Sequence, residues 1–120
     1  LFDCDAEAIG SLEDVKDALV EAAKRAEATI VDVVFHEFNP FGISGVVVIA
    51  ESHLSIHTWP EHRYAAIDIF SCGATLRPDE AASYLVERFG AERTSAVELR
   101  RGIFLQSVGP VPHKPLAFHA

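Results

Sequence analysis

Cysteine is scarce in this chain, with only Cys4 and Cys72 among 120 residues, so a disulfide framework is excluded and a reducing compartment is expected. Basic residues are also few: 10 Lys and Arg stand against 18 Asp and Glu, for a net charge of -8. That balance argues against a nucleic-acid partner, which needs clustered cations to hold phosphate. No apolar run approaches the roughly 20 residues that a membrane helix requires, and no membrane partner is expected. The sequence shows no signal segment, internal repeat or low-complexity stretch, which leaves a cytoplasmic location as the expectation. It opens at Leu1 without methionine, and a few residues of a first strand are expected ahead of it.

What remains is globular. Hydrophobic residues make up 49% and charged residues 23%, a balance suited to one domain with a modest core. At this size, folding hides roughly two thirds of the surface that the unfolded chain exposes.

Ser11 is placed to cap a helix over about 12–27, in which Leu12, Val15, Leu19, Ala22 and Ala26 recur at helical spacing. Thr29–Phe38 is rich in β-branched and aromatic residues and predicts a strand; Asn39-Pro40-Phe41-Gly42 then reverses the chain. Gly45–Ala50 is apolar throughout, as in a strand covered on both faces or at a dimer contact. The His/Ser/Thr-rich stretch after Ser52 predicts a polar loop, and Tyr64–Cys72 a further strand. A second helix follows, with Pro78 in its first turn and Gly90 at its end. Ala96–Phe104 predicts a last strand, and the proline-bearing tail from Gly109 a loose wrap. This order gives an α+β fold, a two-layer α/β sandwich with two helices on one face of a mostly antiparallel sheet.

The chemistry centres on Glu51-Ser52. A serine hydroxyl beside its own preceding carbonyl can attack that carbon and turn amide into ester, given a tight turn, a base and an oxyanion donor. An isolated turn serine is ordinarily just solvated; here Ser44 and His57 are at hand to supply the other parts, and histidine titrates nearest neutrality. His53 and His57 share an H-x-x-x-H spacing, but Pro60 and the β-rich context argue against a zinc helix, and no metal is expected. Cys72 at a strand end is by itself most simply a buried thiol. Phe38 and Trp59 can stack on a flat heterocycle or fill core, and Glu61 can hold a ribose diol or remain a surface charge.

Taken together, Gly42-Ile43-Ser44-Gly45, Ala50-Glu51-Ser52-His53, Ser55-Ile56-His57-Thr58-Trp59-Pro60-Glu61 and Tyr64 to Gly73 resemble the prokaryotic S-adenosylmethionine decarboxylase family. The resemblance runs almost without gaps from Thr29 to Gly73, and the flanking helices agree in length and order. It implies self-cleavage between Glu51 and Ser52 into a β chain of 1–51 and an α chain of 52–120, whose Ser52 becomes a pyruvoyl group. Ser44 would stabilise the cyclic intermediate and His57 would take the α-proton of Ser52. The pyruvoyl ketone would then form a Schiff base with the substrate, without pyridoxal phosphate or metal, in a decarboxylation that supplies aminopropyl groups for spermidine synthesis. Cys72 would reprotonate the product, Phe38 would stack on adenine and Glu61 would bind the ribose.

The resemblance also implies a homodimer of αβ protomers, with each site near the interface. Glu37 and Arg63 depart from the residues usual in the family, a basic or neutral one and a small one. Decarboxylation of arginine or ornithine on the same scaffold is the nearest alternative; a non-catalytic, dimerising binding relative is another.

Overall fold

Alternation along four adjacent strands sorts the side chains into a buried and an open face. The computed structural model describes residues 1–71 and 75–101. Strands β1 (Ile30–Glu37), β2 (Ile43–Ile49), β3 (Ser52–Trp59) and β4 (Tyr64–Ser71) form one antiparallel sheet in chain order. Ile43, Val47 and Ile49 of β2, Leu54 and Ile56 of β3 and Ala65 of β4 are buried on the helix side. Their odd-even neighbours, Val34, Val48, His57 and Asp68, lie on the other, exposed side.

Among the described residues, the helices cover only the first of these faces. Helix α1 (Ala6–Gly10) starts where the Asp5 side chain accepts a hydrogen bond from the Glu7 N–H. At α2 (Leu12–Arg25) the Ser11 Oγ accepts from the Asp14 N–H at 3.3 Å, a cap that stabilises by about 1 kcal/mol. Val15, Ala18, Leu19, Ala22 and Ala23 form the buried stripe of α2, packed on the sheet. Helix α3 (Pro78–Arg88) packs against α2 through Ala81 and Leu85, with Phe89 buried just beyond. The α+β sandwich expected from the sequence is the fold observed.

Three local expectations change. The stretch after Ser52 is not a loop but β3: Leu54, Ile56 and Thr58 go inward while His53, Ser55, His57 and Trp59 go outward, a period of two hidden by the polarity of the outward set. Pro60 ends it in a short 3₁₀ turn, Pro60–His62. A further short helix, α1, precedes the helix expected from 12. The strand expected over 96–104 is absent from its described part: residues 96–101 carry no ladder, and residues 102–104, like the proline-bearing tail, lie outside the described residues. The pairing that the described residues show beside this segment is short. Leu1 exchanges both backbone hydrogen bonds with Ala65, at 2.7 and 3.0 Å, and Phe2 bridges to Arg93; pairing stops there. Arg93 also donates to Asp3 at 2.7 Å, and this holds the Asp3 carboxyl below its ordinary range.

Gly45 has a packing reason. Its register partner is Phe35 on β1, whose ring lies over the glycine where a side chain would otherwise stand. Gly45→Ala should therefore displace the Phe35 ring and cost about 1–3 kcal/mol, read as a lowered denaturation midpoint with the slope unchanged.

Candidate active site

The β2–β3 hairpin carries most of the candidate residues, and its two-residue turn, Ala50-Glu51, sets their positions. Ile49 pairs with Ser52, and so Ser44 must pair with His57. There the Ser44 Oγ lies 2.7 Å from the His57 Nδ1, a short contact that orients the imidazole. A cleft of about 340 Å³ opens beside this pair, lined by Phe38, Phe41, Gly42, Ser44, His57, Thr58, Trp59 and Glu61.

The cleft floor rests on Thr58. Its buried hydroxyl accepts from the Ile43 N–H at 3.0 Å, and its carbonyl lies against Gly42, whose φ of 108° suits glycine alone. Phe38 closes the β1–β2 turn through its N–H to the Gly42 carbonyl, at 2.8 Å, and its ring meets His36 edge-on at 4.6 Å. Trp59 and Tyr64 contact at 5.3 Å. Five residues singled out from sequence, Phe38, Ser44, His57, Trp59 and Glu61, thus share one cleft.

Ser52 and Glu51 are at the other end of the hairpin. Five residues of strand separate Ser52 from His57, about 17 Å at roughly 3.4 Å per residue, so within one chain the Ser44–His57 pair cannot touch Ser52. The same spacing sets His53 and His57 roughly 14 Å apart, beyond the reach of a single ion. Cys72 lies outside the described residues; the residue before it, Ser71, is the register partner of Ser52.

The turn at Glu51 is held from below. The Glu51 side chain is buried and accepts from the Thr29 N–H at 3.0 Å, while the Ala50 N–H donates to the Thr29 carbonyl at 2.8 Å. Two-residue hairpin turns favour positive φ at their first or both positions, yet neither Ala50 nor Glu51 has it. The departure falls on Ser52, with φ 157°, at the edge of a range rare for L residues. Alternation would place the Ser52 side chain with Leu54 and Ile56, but its Oγ is 3.3 Å from His53 Nδ1.

The sequence reading missed Thr29, which acts through its backbone, Thr58, whose hydroxyl accepts from a backbone N–H, and Phe41, visible only as part of a turn. Arg63 and Glu37 do not line the cleft: Arg63 (φ 52°) sends its guanidinium to the carbonyls of Cys4, at 2.7 Å, and Asp3, at 3.3 Å, and Glu37 is exposed opposite Ile43. Cys4 is buried, which pushes its thiol up and keeps it unreactive.

A profile described as S-adenosylmethionine decarboxylase matches residues 1–102. The S-adenosylmethionine decarboxylase proenzyme of Thermodesulfovibrio yellowstonii is 57% identical over 114 residues, which are 95% of this chain and 84% of that protein. The proenzyme of the same description from Acidithiobacillus ferrooxidans is 50% identical over 84% of this chain and 76% of its own length. The crystal structure of the adenosylmethionine decarboxylase from Aquifex aeolicus superposes with a TM-score of 0.73 at 38% identity, covering 78% of this chain and 77% of that one.

Thr58→Val keeps the shape of the cleft floor but strands the buried Ile43 N–H. It should destabilise the fold by about 1–3 kcal/mol, measured by chemical denaturation.

Proposed function

Because the chain belongs to the S-adenosylmethionine decarboxylase family, we propose that it cuts itself after Glu51 and then decarboxylates S-adenosylmethionine as a homodimer in the cytoplasm, supplying the aminopropyl donor for spermidine synthesis. The Ser52 Oγ attacks the Glu51 carbonyl carbon, with Ser44 stabilising the oxyanion; the carbon–nitrogen bond breaks and an ester forms. His57 removes the α-proton of Ser52, and the ester carbon–oxygen bond breaks by elimination. Residues 1–51 depart as the β chain with a free carboxylate. The dehydroalanine left at position 52 takes up water and loses ammonia, giving a pyruvoyl group at the head of an α chain of 52–120.

The residues fit such a group: Ser52 sits at a turn clamped by Thr29, with its backbone held at φ 157°, so the peptide to be broken is fixed while the hydroxyl is not buried. Once formed, the ketone supplies an electron sink for the electrons left as carbon dioxide departs, the task pyridoxal phosphate or a metal performs elsewhere. The chain's own residues bind and deliver protons. Phe38, about half exposed at the cleft edge, stacks on adenine, Glu61 accepts from the ribose hydroxyls, and aromatic faces of the cleft suit a sulfonium cation. Cys72 returns a proton to the product carbon.

The observation that carries this reading is the hairpin register. It pairs Ser44 with His57 and keeps both about 17 Å from the Ser52 of the same chain, so a complete site takes Ser52 from one copy and the partner's Ser44 and the partner's His57 from another. The uncovered sheet face, with Val34 and Val48 exposed and Val46 half-buried, suits that second copy. Two sheets pack face to face at about 10 Å. A two-fold axis between them, crossing the strands near Val46 and Ser55, would bring each Ser52 end over the partner's cleft.

Denaturing mass spectrometry should find two fragments split after Glu51, with Ser52→Ala remaining a single chain. The processed enzyme should release carbon dioxide from S-adenosylmethionine; release from arginine or ornithine instead would overturn the substrate. When Ser52→Ala and His57→Ala chains are co-expressed and isolated as a mixed dimer, the His57→Ala copy should split, because its Ser52 meets an intact His57 across the interface. No splitting in the mixed dimer would place both residues in one chain.

A further inference from the structure

A histidine already stands beside the hydroxyl that must lose a proton, and it is not the one in the cleft. Ser52 Oγ lies 3.3 Å from His53 Nδ1. Neighbours along a regular strand point to opposite faces, so the contact exists only because the backbone departs from alternation at Ser52, where φ is 157°. The His53 ring is itself held in place. It stacks nearly parallel on Phe70, with centroids 5.7 Å apart and 7° between the planes, and Phe70 is its register partner on β4.

Resting on the self-cleavage reading, we propose that His53 is the proton carrier of the first step, the acyl shift from the Ser52 nitrogen to the Ser52 oxygen. With its proton on Nε2, the His53 Nδ1 takes the hydroxyl proton as the Oγ–carbon bond forms at the Glu51 carbonyl. It then gives that proton to the Ser52 nitrogen as the carbon–nitrogen bond breaks. Nothing is gained or lost overall: an amide and a hydroxyl become an ester and an amine.

The division of labour follows from where the protons are. One is on oxygen, next to His53; the other is on the Ser52 Cα, and its removal falls to the partner's His57. The Thr29–Glu51 clamp fixes the carbonyl under attack, so the base works on a preset geometry.

The two histidines should then block at different stages. His57→Ala chains should stop at the ester and be cut by neutral hydroxylamine. His53→Ala chains should stop at the amide, split roughly 100-fold more slowly than the unaltered chain, and resist hydroxylamine. Imidazole added to His53→Ala, where a ring-sized space lies against Phe70, should restore part of the rate, which repair of a merely structural loss would not do. His53→Asn keeps an acceptor beside Ser52 but no basic nitrogen to take up its proton; it should be as slow as His53→Ala, and it carries the test if the alanine chain does not fold. Splitting of either His53 variant at the unaltered rate, or release of fragments by hydroxylamine to the extent seen for His57→Ala, would overturn the assignment. In that event the unaltered chain still splits and self-cleavage stands. An unaltered chain that never splits removes self-cleavage, and the role of His53 with it.

Discussion

The backbone pairing of β2 with β3 governs everything else in this molecule. Once Ala50-Glu51 makes the turn, Ile49 faces Ser52, and every later rung is dictated down to Ser44 and His57. Side chains alternate with a period of two, so a slip of one residue would turn Val47, Leu54 and Ile56 out of the core. The apolar inner face therefore pays for the polar outer one in a single step: the hydrophobic burial that holds the hairpin in register is what brings Ser44 within 2.7 Å of His57.

The same register separates functions in space. One end of the hairpin holds the Glu51-Ser52 peptide of the proposed self-cleavage, clamped through Thr29, with His53 leaning on Phe70. The other end holds a cleft with aromatic walls and a carboxylate, Glu61. A strand is stiff and extended, so neither end can bend to meet the other; in the proposed homodimer a second copy laid across the open face would join them. Covering the sheet with helices on one side only is then a condition of the proposed chemistry, since a helix on both faces would bar the second copy.

Much of this could be read from residues. The helix stripes of α2 and α3 were legible because apolar residues recur at helical spacing between a serine cap and a proline start. The four-residue set Phe38, Ser44, His57 and Glu61 was legible through its resemblance to a family. Two strands misled for opposite reasons. In β3 the outward residues are so polar that the inward Leu54, Ile56 and Thr58 did not read as a core face. Residues 96–101 alternate well, yet among the described residues the pairing of this segment stops at the Phe2–Arg93 bridge, and alternation alone does not form a sheet. Thr29 and Thr58 escaped notice because each is bonded to a distant segment, Thr29 through its backbone to Glu51 and Thr58 through its hydroxyl to the Ile43 N–H, and such partners are set by the fold.

The amino-acid sequence by itself determined the α+β class and the kinds of side chain set around the proposed self-cleaving bond between Glu51 and Ser52, because these depend on local periodicity and on chemical type. Only the tertiary structure decided which of those side chains meet. It set His57 with Ser44 and away from Ser52, turned the Ser52 hydroxyl to His53, and pointed Arg63 at the carbonyls of Asp3 and Cys4. Distances of this kind follow from strand register and from which sheet face is left uncovered, and both are products of packing over the whole chain.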